Sequence, residues 1–213
     1  ISIQTNQLSC SDESKIRNVL NVSGQNFFLI NSAIIESDLK KKFYCIKSAL
    51  INRSFPDKVK IRIFSREAAA VLANLKDQEA STAAFLENIA TPSGREVRES
   101  YQVDTEGVVF SKAADGLNIP KIYFDEEVFL GQRIENNLVS NTLRILEKVK
   151  TAGIEVSESW IRDGFFIINS TARLKIIFRL DEKIDIQLAS LQLILDKAKI
   201  DLMVDTYQDG ICP

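Results

Sequence analysis

The first 70 residues contain the pattern that most restricts what this chain can fold into. Over residues 58–63 basic and apolar side chains alternate strictly, which predicts a strand with one buried face and one basic face. Upstream, the spacing predicts a first strand that begins near Ile1, two short amphipathic helices, and an extended segment over residues 46–52. We therefore expect a β-α-α-β-β unit whose helices cover one face of an open, single-layered sheet and leave an edge exposed.

Capping residues set the limits of the two helices. Ser11 is placed to cap a first helix whose opening turn holds Asp12 and Glu13, and Asn31 is placed to cap the second helix. The second helix ends in the lysines at 40–42, where cations favour the negative end of the helix dipole. The expected buried stripes are Ile16, Val19 and Leu20 in the first helix and Ile35, Leu39 and Phe43 in the second.

The composition excludes much of the usual catalytic chemistry. Histidine is absent from all 213 residues, which removes the commonest general base and zinc ligand. Cys10, Cys45 and Cys212 are scattered without C-x-x-C spacing, so isolated thiols are expected, with a Cys10–Cys45 bridge as the alternative. No glycine-rich phosphate loop occurs. We predict no catalytic residue, no metal, no cofactor and no small-molecule substrate.

Charge is unevenly distributed along the chain. The net charge is −2, but residues 1–70 hold eleven Lys and Arg against six Asp and Glu, while the remainder holds 16 against 23. This balance argues against nucleic-acid binding. We expect the basic residues of the first part to be solvated. The alternative is that they contact an anionic lipid or polymer. No stretch reaches the roughly 18 apolar residues that a membrane span needs.

Two carboxylate clusters and one aromatic hairpin admit both a functional and a structural interpretation. Residues 125–127 follow a strand and the cluster in residues 181–185 opens a helix, so solvated positions are favoured over a hydrolytic pair or a hard-cation site. Trp160, Phe165 and Phe166 are flanked by isoleucines, so hydrophobic core is favoured over a stacking platform.

Beyond residue 70 the sequence predicts a mixed α/β domain with a mostly antiparallel sheet. The polar residues 75–100 are expected to form a long, mobile excursion. A helix is predicted over about residues 134–152 with Gly153 as its C-terminal cap, and a hairpin turns on residues 163–164. The last predicted elements are a strand over 174–180, a helix with Ile184, Leu188, Leu191 and Leu195 on one face, and a strand over 199–207.

The last predicted strand is the candidate functional segment. A terminal strand that follows a helix often lies at a sheet edge, where a partner can complete its main-chain hydrogen bonds by β-augmentation. On the residues alone, an ordinary strand and a partner-binding edge both stay open. The candidate partner-binding residues are Ile200, Asp201, Leu202, Met203, Val204, Asp205, Thr206 and Tyr207.

Residues 26–66 resemble the FtsQ-type POTRA domain of the bacterial division proteins FtsQ and DivIB. They share its apolar pair, its Ile-Asn step, a helix ending in Leu, an Arg-x-Phe-Pro turn and an alternating strand. The matching residues in and beside this run are Gly24, Phe27, Phe28, Ile30, Asn31, Leu39, Ala49, Arg53, Phe55, Pro56, Ile61, Arg66 and Ala70. Ser65 and Ala68 depart from the pattern, since the family has Glu and Pro there.

Weaker matches continue in order through the rest of the chain. The family's Val-Asp-x-x-Gly-x-Val-Phe hairpin is matched by residues 103–110, and its Leu-Pro step by Ile119 and Pro120. Residues 200–202 are similar to its Ile-Asp-Leu-Arg strand, with Met203 in place of the Arg.

The resemblance implies an α+β protein with an FtsQ-type POTRA domain at residues 1–69 and an FtsQ/DivIB-like β-domain at residues 70–213. It implies a non-enzymatic scaffold of the divisome, held at the cell membrane by a single span upstream of residue 1, with this chain on the extracytoplasmic side at the division site. It also implies FtsB- or DivIC-like and FtsL-like partners, one of which adds a strand to residues 199–207 at septation. The alternatives are a POTRA-containing protein of an outer-membrane assembly or translocation system, and a cell-wall hydrolase or ligand-binding domain that uses Asp181 or Glu182.

Overall fold

The computed structural model describes residues 2–5, 13–20, 31–54, 58–75, 97–114, 116–124, 126–180 and 183–208. Within these residues it has ten strands and four helices, which confirms the α+β class. The strands are β1 (Ser2–Thr5), β2 (Ile46–Ser54), β3 (Lys58–Ser65), β4 (Ala70–Leu75), β5 (Val97–Val103), β6 (Val109–Lys112), β7 (Lys121–Phe124), β8 (Val156–Arg162), β9 (Phe165–Ser170) and β10 (Lys175–Arg179). The helices are α1 (Glu13–Leu20), α2 (Ser32–Lys42), α3 (Asn136–Thr151) and α4 (Ile184–Gln208).

The chain divides into two compact units, each drawn from separate stretches of sequence. The first unit comprises Ile1–Leu72, Glu99–Pro120 and Val128–Ile134. The second comprises Ala73–Arg98, Lys121–Glu127 and Glu135–Pro213. The domain boundary after residue 69 stays a prediction.

In the first unit, β3 lies at the centre of a three-stranded sheet in the order β1–β3–β2. It runs parallel to β1 and antiparallel to β2. Its alternation places Val59, Ile61 and Ile63 in the core, while Lys58 and Arg62 are exposed on the opposite face. The predicted β-α-α-β-β order and the facing of this strand are both confirmed.

Helices α1 and α2 cover the apolar face of this sheet. Ile16 and Leu39 are fully buried and share one core with β3. Asn31 caps α2 as expected, because its Oδ1 accepts hydrogen bonds from the N–H groups of Ala33 at 3.0 Å and Ile34 at 3.4 Å. The predicted features that lie outside the described residues are Ser11, Asp12, Gly24, the apolar run at 27–30, the turn at 55–57 and residues 76–96 of the predicted excursion.

The hairpin of β5 and β6 confirms the turn predicted within residues 103–110. The two strands are antiparallel, with Tyr101 opposite Lys112. Phe110 is buried in the core that contains α1, α2 and β3. The core of the first unit therefore includes a residue well beyond the predicted boundary.

The second unit contains a mostly antiparallel sheet in the order β7–β8–β9–β10. Only β7 and β8 run parallel among these four described strands. Asp163 and Gly164 have φ angles of 48° and 77°, the left-handed pair that a two-residue hairpin turn requires. Trp160 and Phe166 are buried as predicted, and Phe165 is partly buried and packs against the core that contains Trp160.

The last predicted strand, residues 199–207, is wrong, because these residues continue helix α4 from Ile184 to Gln208. Between those two limits the sequence has no Gly or Pro that would end a helix. Apolar residues also recur at helical spacing along α4, at Ile184, Leu188, Leu191, Leu195 and Leu202. Apolar and polar residues alternate in this segment over only a few positions. That short pattern does not interrupt a helix that the preceding residues already form.

The prediction of isolated thiols is wrong for Cys45, because this residue is disulfide-bonded. Its side chain is fully buried in the core of the first unit. Cys10 and Cys212 lie outside the described residues, so a Cys10–Cys45 bridge stays a prediction.

Candidate protein-binding interface

Strand β10 is the terminal strand of the sheet in the second unit, as far as the described residues extend. Its pairing with β9 continues without a bulge from Lys175 opposite Asn169 to Arg179 opposite Phe165. One side of β10 is thus paired along its whole length. The other side faces away from β9 and forms the candidate interface, which we call the outer edge of β10.

Hydrogen bonds at the two ends of β10 show which main-chain groups point outward. The carbonyl of Leu174 accepts a hydrogen bond from the N–H of Ser170 at 2.9 Å. The N–H of Leu180 donates to the carbonyl of Gly164 at 2.8 Å, so the even-numbered residues face β9. Because this direction alternates along a strand, the odd-numbered residues direct their N–H and C=O groups to the outer edge. These residues are Lys175, Ile177 and Arg179.

The side-chain amide of Gln187 occupies the outward main-chain groups of Arg179. Its Oε1 accepts the Arg179 N–H at 2.9 Å, and its Nε2 donates to the Arg179 carbonyl at 2.8 Å. This pair of bonds reproduces the one that a residue of an added antiparallel strand makes with its partner. Gln187 was not among the predicted site residues, since a glutamine in the first turn of a helix carries no recognisable sequence signal.

Large apolar side chains are exposed on β10, beside it and on α4. Leu174 and Ile177 lie at or beside the strand, and Ile186, Leu193 and Ile194 lie on α4, with exposed fractions between 43% and 70%. Ile177 belongs to β10 itself and so lies on the strand whose outer edge forms the candidate interface.

The predicted partner-binding residues, 200–207, form the C-terminal part of α4. The structure does not bring them to the sheet as a strand. They lie in the same continuous helix as Ile186 and Leu193. Their role in binding a partner stays a prediction.

Of the carboxylate cluster in residues 181–185, the structure describes Asp185. Asp185 lies in the first turn of α4 and forms an ion pair with Arg144 of α3. No group of three or more His, Cys, Asp or Glu residues that could hold a metal occurs in the described part of the chain, which does not include Asp125, Asp181 or Glu182.

A polar cluster surrounds Arg66 in the first unit. Its guanidinium pairs with the buried Asp104, lies 3.2 Å from a carboxylate oxygen of Glu106, and donates to the Tyr44 carbonyl at 3.2 Å. The Lys47 ammonium lies 3.1 Å from Glu106. Hydrogen bonds from Lys47 and then Arg66 hold the pKa of Glu106 below its ordinary value. The cluster ties the end of β3 to the β5–β6 hairpin through charge-assisted hydrogen bonds.

Comparison with known families identifies the first part of the chain. Residues 1–66 match the POTRA domain of the FtsQ type, which confirms the resemblance for 66 of the 213 residues. This match covers the β-α-α-β-β region of the first unit. No curated protein matches the chain. Among the described residues, no helix is long and apolar enough to cross a membrane.

Proposed function

We propose that this chain is the extracytoplasmic part of a non-enzymatic scaffold of the bacterial division machinery, similar to FtsQ and DivIB. A single span upstream of residue 1 would anchor it in the cell membrane at the division site. The FtsQ-type POTRA domain at residues 1–66 supports a division-related role. The absence of histidine from the sequence favours a scaffold over an acid–base enzyme. The disulfide at Cys45 supports an extracytoplasmic location, because disulfides persist in oxidising compartments.

The proposed partners are FtsB- or DivIC-like and FtsL-like proteins, one of which adds a strand to the outer edge of β10. The observation that carries this proposal is the amide pair between Gln187 and Arg179. An edge that already accepts an amide in strand-like geometry can accept an extended segment through the same groups. Ile177 then supplies the next outward N–H and C=O along the strand.

Residues 200–207 remain the proposed partner-binding residues, now as part of a helix. In this arrangement an extended segment of the partner pairs with β10. The partner's residues on either side of that segment contact the exposed face of α4. Main-chain bonds to β10 set the register, while Ile186 and Leu193 add apolar contact area. The two contributions together are typical of peptide recognition at a sheet edge.

Amide hydrogen exchange followed by NMR tests this proposal. The chain is mixed with the extracytoplasmic segment of the FtsB- or DivIC-like protein of the same organism. We expect the partner to slow exchange of the outward N–H groups of Ile177 and Arg179 by at least about tenfold. The N–H of Phe178 faces β9 and is the internal control, which should change little. Unchanged exchange at Ile177 and Arg179 with saturating partner would contradict strand addition.

A further inference from the structure

The three-stranded sheet of the first unit has a second face, opposite the one that α1 and α2 cover. On β3 this second face carries Lys58, Lys60, Arg62 and Phe64, which alternate with the buried residues. Lys58 and Arg62 are exposed, and Lys60 is partly exposed. We call this surface the outer sheet face. It belongs to the first unit, whereas the outer edge of β10 belongs to the second.

The three cations of the outer sheet face have uncharged neighbours across the sheet. Lys60 lies opposite Asn52 of β2, and Arg62 lies between Leu50 of β2 and Gln4 of β1. None of the three cations forms an ion pair with another described residue. Successive cations on one face of a strand are about 7 Å apart, so their charges add at this surface. The outer sheet face therefore attracts an external anionic surface.

Two large apolar side chains are exposed among these cations. Leu50 is 48% exposed and Phe64 is 37% exposed. Leu50 lies directly opposite Arg62, and Phe64 is the next residue on the same face of β3. Leu50 and Phe64 are therefore diagonal neighbours, about 7–8 Å apart. An external surface can contact both side chains without any change in the core.

This combination of side chains matches the interfacial layer of an anionic bilayer. Lys and Arg side chains are long enough to reach headgroup phosphates, while apolar side chains beside them enter the start of the acyl region. A sheet face is broad, so several of its side chains can meet a bilayer surface at once. A soluble polyanion would contact the cations but would gain little from Leu50 and Phe64. The exposed apolar pair therefore favours a bilayer over an anionic polymer.

We propose that the outer sheet face lies against an anionic phospholipid bilayer. Its three cations contact headgroup phosphates, and its two exposed apolar side chains reach the start of the acyl region. This inference rests in part on the proposed span upstream of residue 1, because β1 belongs to this sheet and such a span would hold the sheet close to the bilayer.

The strength of the attraction indicates what the contact does. Each basic residue near an anionic surface strengthens binding by about fivefold, so three of them give about a hundredfold. Such an attraction is too weak to recruit a free protein at physiological salt. It is strong enough to orient a protein that is already tethered, because tethering raises the effective concentration of the face at the bilayer. The contact therefore orients the chain and does not anchor it.

Flotation of the full chain with vesicles tests this inference. The vesicles contain either phosphatidylglycerol or neutral phosphatidylcholine, and the salt is about 0.02 M, where screening is weak. The chain has a net charge of −2, so its overall charge does not favour an anionic vesicle. We nevertheless expect it to bind phosphatidylglycerol at least about tenfold more tightly than phosphatidylcholine.

Substitutions on the outer sheet face should weaken binding to the anionic vesicles. Lys60→Glu and Arg62→Glu should each weaken it by at least about tenfold, because each replaces an attractive charge by a repulsive one. Phe64→Ser should weaken it by about threefold, because it removes apolar contact area. Circular-dichroism melts check that the variants fold, and Lys58→Glu, at the start of β3, provides the same charge test if either of the others does not.

Lys42→Glu is the matched control, because it changes the net charge equally but lies at the end of α2, which covers the other face of the sheet. It should keep the affinity within about twofold of the original chain. Equal losses for Lys42→Glu and Arg62→Glu would reduce the effect to overall charge and overturn the inference. The absence of binding to either vesicle would also overturn it.

Soluble polyglutamate distinguishes a bilayer from an acidic chain. Tighter binding to polyglutamate than to phosphatidylglycerol vesicles, lost in Arg62→Glu, would overturn the bilayer as the occupant of the outer sheet face. The vesicle assay contains no membrane anchor and no partner segment. Its failure therefore leaves the proposed anchor and the exchange test of strand addition unaffected.

Discussion

Gln187 and Arg179 form a reciprocal pair in which one side-chain amide binds both outward main-chain groups of a terminal strand, at 2.9 and 2.8 Å. An unprotected strand edge invites unwanted pairing with other chains, and a side chain that covers it reduces that risk. A single amide makes two hydrogen bonds, whereas an added strand also engages Ile177. The pair therefore protects the edge without closing it permanently.

Gln187→Leu should strengthen partner binding by about fivefold, because leucine keeps the side-chain bulk but no longer competes for the Arg179 main chain. Isothermal titration calorimetry with the FtsB- or DivIC-like segment measures the change. Gln192→Leu is the matched control on the same helix, where the glutamine amide donates to Asp196 at 2.8 Å instead. Weaker binding after Gln187→Leu, with Gln192→Leu unchanged, would argue against competition.

Ile61→Asp should unfold the first unit, because Ile61 is fully buried and a carboxylate there has no ionic partner in the core. The expected loss in free energy of unfolding is more than about 3 kcal/mol. Lys60→Asp, one residue earlier on the opposite face of β3, should cost less than about 1 kcal/mol. Circular-dichroism melts distinguish the two variants, and similar melting temperatures would refute the facing of β3.

Glu106 should make the first unit sensitive to acid. Its pKa in the folded state lies below the ordinary value of 4.5, so it stabilises the fold above that pH, and this contribution is lost as the pH falls through the folded pKa. Glu106→Gln should therefore flatten the decline of the free energy of unfolding at acidic pH, as measured by urea denaturation. Lys47→Met removes the largest cause of the shift and should return the NMR titration of Glu106 toward its ordinary range. Identical acid dependence in Glu106→Gln and the unchanged chain would rule out this role.

The first unit was largely predictable because its signals are local and agree with one another. The alternation in β3 has one buried face, and Asn31 accepts the expected capping bonds at the start of α2. The hairpin turn at Asp163 and Gly164 was predictable for the same reason, since Asp-Gly favours the left-handed conformation that both residues adopt. In these places pattern and packing favour the same structure.

The C-terminal segment shows where local pattern fails. Apolar and polar residues alternate over residues 200–204 as in a strand. These residues also continue the helical spacing of apolar residues that begins at Ile184, and they fold as part of that helix. The outer edge of β10 was not predictable, because it depends on which strand ends the sheet. The pairing of Gln187 with Arg179 and the approach of Tyr44 to Gly131 are tertiary contacts that carry no local sequence signal.

The most direct test of the proposed function compares Ile177→Pro with Ile177→Ala in titrations with the partner segment. Proline removes the outward N–H of residue 177 but no bond to β9, because the even-numbered residues make those bonds. Alanine keeps that N–H and loses only side-chain contacts. The account predicts that Ile177→Pro weakens partner binding at least about tenfold more than Ile177→Ala, while Phe178 keeps its protection from hydrogen exchange. Equal affinities of the two variants would contradict strand addition at β10.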